Sequence, residues 1–89
     1  DGKIHDAYRI QFIREHLQQM RLAITDGVQI LGYCPWAAID VVSTHQGYRK
    51  RYGFIYVDRE EFDLKELKRF RKDSFYWYAN VILENGQNL

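Results

Sequence analysis

The sequence predicts an α/β fold whose elements run helix, strand, loop, strand, helix, and three observations carry that reading. Apolar residues recur at steps of three and four through the first part of the chain. Residues 28–34 make a mostly apolar run of the kind that a parallel sheet buries on both faces. Such a strand needs neighbours on both sides, and the chain offers at most one, over residues 52–57. The pattern therefore reads as a piece of a larger α/β structure.

Asp6 stands at the expected N-cap of a long helix reaching about residue 26. Ile10, Ile13, Leu17, Met20 and Ile24 draw one apolar stripe down that helix, with Arg14, Gln18 and Arg21 off it. Gly27 suits the left-handed position that ends a helix. The buried-type strand over residues 28–34 follows, and Pro35 stops it by removing a ladder donor. Residues 37–42 are apolar again, interrupted by Asp40, and Thr44-His45-Gln46-Gly47 has loop chemistry. The second strand is expected over residues 52–57, rich in aromatic and β-branched side chains. A polar turn over residues 58–63 comes next, and residues 64–71 fit either a short helix or an irregular basic connection. Ser74 is the expected cap of a last helix through Glu84, with Gly86 just past its end.

The 89 residues suffice for one small domain and are too few for two. A domain of that size buries roughly 60–65% of its unfolded surface, so only a modest core is possible. Aromatic residues reach 16%, which brings large apolar areas and, in Tyr and Trp, polar tips that can meet a ligand. The net charge of +1 argues against a general polyanion binder, although Lys and Arg cluster at Arg49-Lys50-Arg51 and over residues 65–72. Cys34 is the sole cysteine, which excludes an intramolecular disulfide and fits a reducing compartment. Residues 28–42 are too short and too polar to span a membrane. No signal-peptide pattern is visible, and the chain opens on Asp1 rather than Met, which leaves open a missing native N-terminus.

Five chemistries are worth weighing. His5, His16, Cys34 and His45 are scattered and form no pair at zinc spacing, so no metal site is expected. Tyr48-Arg49-Lys50-Arg51-Tyr52 interleaves bases with aromatics, which could pair phosphates and stack bases; a small nucleic-acid-binding or interaction module is therefore the alternative reading. Glu84-Asn85-Gly86 tempts as a glycosidase nucleophile, but it ends a helix, whereas a barrel enzyme carries its catalytic side chains at the C-terminal ends of strands. Trp36, just after a buried-type strand, could offer a flat apolar face to a sugar ring. Ser43, Lys50 and Tyr52 would give a phosphomonoester a hydroxyl, an ammonium and a phenol, with no carboxylate among them. Lys50 and Tyr52 stand two apart, so both would project from one face of a strand that begins early.

The segment Gly32-Tyr33-Cys34-Pro35-Trp36-Ala37-Ala38-Ile39-Asp40-Val41-Val42-Ser43 resembles the last barrel strand of family 1 glycoside hydrolases, most of all their 6-phospho-β-glucosidase branch. Lys50-Arg51-Tyr52-Gly53-Phe54-Ile55-Tyr56-Val57-Asp58 continues the likeness. Ser74-Phe75-Tyr76-Trp77-Tyr78 resembles the start of the family's final helix, and Asp6-Ala7-Tyr8-Arg9-Ile10 the start of the helix after its nucleophile segment. The resemblance covers Asp6 to Gly86, in several separate motifs in the right order.

It implies that residues 1–89 are the C-terminal portion of a (β/α)₈ TIM barrel, the last strand with its flanking helices, and not a complete barrel. It further implies that Trp36 stacks on the sugar in the glycone subsite and that Ser43, Lys50 and Tyr52 hold its 6-phosphate. Relatives acting on unphosphorylated sugars resemble this segment but place Glu where Ser43 stands and Trp where Thr44 stands. A Glu beside a phosphate dianion would cost about 4 kcal/mol of repulsion per unit charge at ~4 Å and an effective dielectric near 20. Thr44 also departs from the Trp of phospho-β-galactosidase relatives, which leans toward glucosides and leaves galactosides open. The family's acid/base and nucleophile glutamates stand upstream of Asp6, so no catalytic residue is expected here and the isolated chain is expected to be inactive. No metal and no organic cofactor is implied. The expected partner is a phosphorylated β-glucoside in a cytoplasmic parent enzyme, with neither nucleic acid nor membrane, and the isolated chain is expected to self-associate through open strand edges.

Overall fold

A computed structural model describes residues 2–41, 50–87 and 89. Helix α1 spans Ala7–Thr25, strand β1 Ile55–Val57, strand β2 Arg69–Arg71 and helix α2 Asp73–Leu83.

α1 follows the expected stripe: Ile13 is buried, and Leu17, Met20 and Ile24 face Val81 and Ile82 of α2 across an apolar groove. Its end is a Schellman motif, with Gly27 at φ +99°, Gly27 N–H donating to the Ile24 carbonyl and Val28 N–H to that of Ala23, both at 3.0 Å. α2 closes in the same way, but there Asn85 (φ +53°) takes the left-handed position and Gly86 N–H reaches the Val81 carbonyl at 2.8 Å. Glu84 is its C-cap, so Glu84-Asn85-Gly86 is a helix terminus here.

Three sequence expectations about the strands are corrected. Residues 28–34 form no strand: Val28 is 52% and Leu31 95% exposed, because no described strand lies alongside to accept their ladder bonds. Residues 69–71, expected as helix or irregular chain, form β2, antiparallel to β1 with Tyr56 opposite Phe70. The second expected strand shortens to Ile55–Val57. Residues 52–55 are nevertheless tied on their other side to residues 37–40. Ala37 N–H donates to the Tyr52 carbonyl (3.0 Å), Phe54 N–H to Ala37 (3.1 Å) and Asp40 N–H to Ile55 (2.9 Å).

Ser74 is not the cap of α2, since Lys72 holds that position. The capping acceptor comes instead from far along the chain. Asp6 makes no side-chain cap bond to its own helix; its carboxylate accepts from Ser74 N–H at 2.8 Å and from Ser74 Oγ–H at 2.5 Å. The Ile4 carbonyl takes Asp73 N–H at 2.9 Å. Two of the orphan donors that open α2 are thus met by the segment leading into α1, where an anion is also favoured by the helix dipole.

The core mixes apolar and charged groups. Ile13, Ala37, Phe54, Val57 and Val81 are buried beside Asp6, Arg9, Asp40, Lys72 and Ser74. Phe54 stacks on Tyr78 with ring centroids 5.0 Å apart, joining the strand to α2. Gly53 has no room for a side chain: a Cβ there would stand 2.3 Å from the Asp40 nitrogen and the Ile39 carbonyl carbon.

Candidate functional site

α1, the segment ending at Pro35-Trp36 and the strand entry at residues 50–52 enclose a cleft of about 590 Å³. Trp36, Lys50 and Tyr52 all line it, together with Tyr8, Phe12 and Tyr33. Trp36 is 71% exposed, so its indole face is open to a ligand, and the Trp36–Ala37 peptide is cis. Lys50 is exposed with Nζ 5.9 Å from the centre of the Tyr52 ring, so ammonium and phenol stand on one side of the chain. Ser43 lies outside the described residues, as do Tyr48 and Arg49 of the basic cluster. The described lining carries Arg9, Lys50 and Arg51 and no Asp or Glu, a balance that suits a bound anion.

Arg51 faces inward. Its Nη2 donates to the Arg59 carbonyl at 2.5 Å, its guanidinium lies 4.6 Å from the Tyr56 ring centre, and Nε stands 3.3 Å from Asp40. Of the basic cluster, Lys50 is the exposed cation among the described residues.

Beneath the cleft, Asp40 fixes the strand. It accepts from Lys72 Nζ at 2.7 Å, Gly53 N–H at 3.0 Å and Val57 N–H at 3.3 Å. Burial pushes the Lys72 ammonium below its ordinary pKa, against the pull of Asp40. From the α1 side, Arg9 donates Nε to the Tyr52 carbonyl at 3.2 Å and Nη2 to the Arg51 carbonyl. Arg9 has 6% exposure and stands 3.9 Å from Asp6.

Neither Arg9 nor Asp40 was singled out from the sequence as part of the site, although both left a signal. Arg9 sits four residues before Ile13, in line with the apolar stripe, where a charged side chain implies a buried partner. Asp40 breaks an apolar run for the same reason. Among the described residues, no cluster of three His, Cys, Asp or Glu could hold a metal ion.

Residues 1–87 match glycosyl hydrolase family 1, and the chain belongs to that family. It is 53% identical over its whole length to aryl-phospho-beta-D-glucosidase BglC of Bacillus subtilis (strain 168) and spans 19% of that protein. It is 48% identical to 6-phospho-beta-glucosidase AscB of Escherichia coli (strain K12), again over the whole chain and 19% of the relative. To the 1,4-beta-D-glucan glucohydrolase of Thermotoga neapolitana it is 46% identical, over 96% of the chain and 18% of that protein. A solved structure, the family 1 β-glucosidase from Thermotoga maritima, superposes with a TM-score of 0.86 at 42% identity, over 97% of the chain and 18% of its own. The chain thus spans about a fifth of the relatives it matches, and the two helices and small sheet among the described residues correspond to part of that enzyme fold.

Proposed function

We propose that these 89 residues are the C-terminal part of a retaining glycoside hydrolase that cleaves β-glucoside 6-phosphates in the cytoplasm. In this reading they form the last strand and flanking helices of its (β/α)₈ barrel. They supply the glycone and 6-phosphate contacts. The observation that carries the reading is the cleft itself: an open indole, an ammonium and a phenol converge on it, and no carboxylate is among its described lining residues. A phosphomonoester carries about −1.5 to −2 charge at neutral pH, so it needs donors and positive charge and is repelled by carboxylates. Trp36 stacks on the sugar; Lys50 and Tyr52, joined by Ser43, hold the phosphate. The names of the relatives that match over the whole chain support the phosphorylated substrate.

Glycoside hydrolysis uses two carboxyl groups roughly 5–9 Å apart. The described cleft lining offers none, which supports the reading that the isolated chain is inactive. No cofactor, nucleic acid or membrane takes part in this reading, and no helix among the described residues is long and apolar enough to cross a membrane.

A second reading, in which the substrate is a plain glucoside, is favoured by the likeness to the Thermotoga neapolitana glucohydrolase and by the open Trp36. Hydrolysis of paired chromogenic β-glucosides, with and without a 6-phosphate, by the full-length protein separates the two. A preference of about 100-fold for the phosphorylated substrate, or about 2.7 kcal/mol, is expected. Equal rates would move Ser43, Lys50 and Tyr52 to packing roles and make the substrate a neutral sugar.

A further inference from the structure

We infer that Arg9 is a positioning residue for the phosphate end of the cleft, an inference that rests on reading Lys50 and Tyr52 as phosphate contacts. The carbonyls of Arg51 and Tyr52 belong to the two peptide groups on either side of the Tyr52 α-carbon. One planar guanidinium holds both, through Nη2 and Nε. Fixing those two planes fixes the direction in which the Tyr52 side chain leaves the strand. Lys50, whose ammonium stands over the Tyr52 ring, precedes the clamped pair directly. The clamp is itself anchored. Arg9 is buried, its charge is balanced by Asp6 at 3.9 Å, and Asp6 is held by the backbone and hydroxyl of Ser74. The first turn of α1 and the start of α2 together therefore aim residues 50–52.

The sugar end of the cleft has a tie that Arg9 does not touch. Ala37, the residue after Trp36, shares the Tyr52 carbonyl with Arg9, but its own carbonyl also accepts from Phe54 N–H at 3.1 Å, so the indole keeps that anchorage when Arg9 is changed. Loss of the clamp therefore disturbs the phosphate contact more than the stacking contact. Lysine at this position keeps the charge beside Asp6 but lacks the rigid fork that spans two carbonyls.

The test uses the full-length protein with Arg9→Lys and Arg9→Gln, each assayed on paired chromogenic β-glucosides with and without the 6-phosphate. The ratio of kcat/KM values, phosphorylated over plain, is expected to fall about tenfold or more in both variants, chiefly through KM of the phosphorylated substrate. Where Arg9→Gln does not fold, Arg9→Lys decides. An unchanged ratio overturns the inference, and so does an equal fall for both substrates, which would make Arg9 purely structural. Lys50→Ala is assayed alongside. A ratio unmoved by Lys50→Ala removes the phosphate reading and this inference with it. A ratio that collapses in Lys50→Ala but holds in the Arg9 variants overturns the inference alone.

Discussion

At the scale of single residues, Asp40 gathers an ammonium, a guanidinium and two backbone N–H groups around one buried carboxylate. Asp40→Asn would leave Lys72 charged, buried and without its counterion, which is expected to destabilise the chain by about 3–5 kcal/mol. Urea unfolding checks this, and a midpoint equal to the parent's would show that Lys72 finds another partner. If Ser43 contacts the phosphate as proposed, Ser43→Glu in the full-length protein is expected to shift preference toward unphosphorylated glucosides, because it adds a negative charge to that site. An unaltered preference in the paired assay would undo the charge argument. Lys50→Ala, by contrast, should sharply lower kcat/KM for the phosphorylated substrate, and a rate within about twofold of the parent would take Lys50 out of the site. Residue types offered these donors, and the family resemblance assigned them to the phosphate. The buried charges behind them were harder to read, because a sequence shows that Asp40 and Arg9 interrupt apolar positions without showing which groups satisfy them.

At the scale of elements, both helices were legible, α1 from its apolar period and Gly27 and α2 from the Gly86 past its end. α2 nevertheless starts at Asp73 rather than behind a Ser74 cap. The strands were less legible, since a strand is defined by a partner that its own residues do not encode. Residues 28–34 have the composition of a buried strand and no described neighbour, whereas Arg69–Arg71 look like a charged connection and pair with β1. Gly53→Ala tests the tie between residues 37–40 and the strand entry. A Cβ there would collide with backbone at 2.3 Å, and the expected loss is about 3 kcal/mol or more. An unfolding midpoint unchanged from the parent would show that the two segments can part without cost. Burial also raises the phenol pKa of Tyr33, and of Tyr78 with help from Tyr33 and Cys34, above the ordinary 10.0. The folded chain keeps these protons longer than the unfolded one, so their contribution to stability is full below pH 10.0 and fades as pH rises through the raised values. Phenolate absorbance should show Tyr78→Phe removing a late-titrating group; loss of an ordinary one would contradict the assignment.

For the whole molecule, the open faces are as informative as the core. Leu31 and Phe62 are 95% and 97% exposed, and residues 28–34 present backbone donors and acceptors that no described strand uses. The isolated chain is expected to self-associate through such edges. Light scattering should report an apparent mass that grows with concentration, and a monodisperse monomer at high concentration would count against it. The sequence pointed to this condition through a single feature, a strand of buried type with too few possible neighbours.

The bonds between Asp6 and Ser74 join residues 68 positions apart. Such a junction closes nearly the whole chain into one loop, so loop-closure entropy opposes it until most of the intervening structure is in place. α1 can wind on its own local bonds, whereas the start of α2 waits for its acceptors to arrive from the opposite end of the sequence. In native-state hydrogen exchange the Ser74 amide would therefore act as a clock for closure of the entire chain, while amides in the middle of α1 would keep a local time of their own.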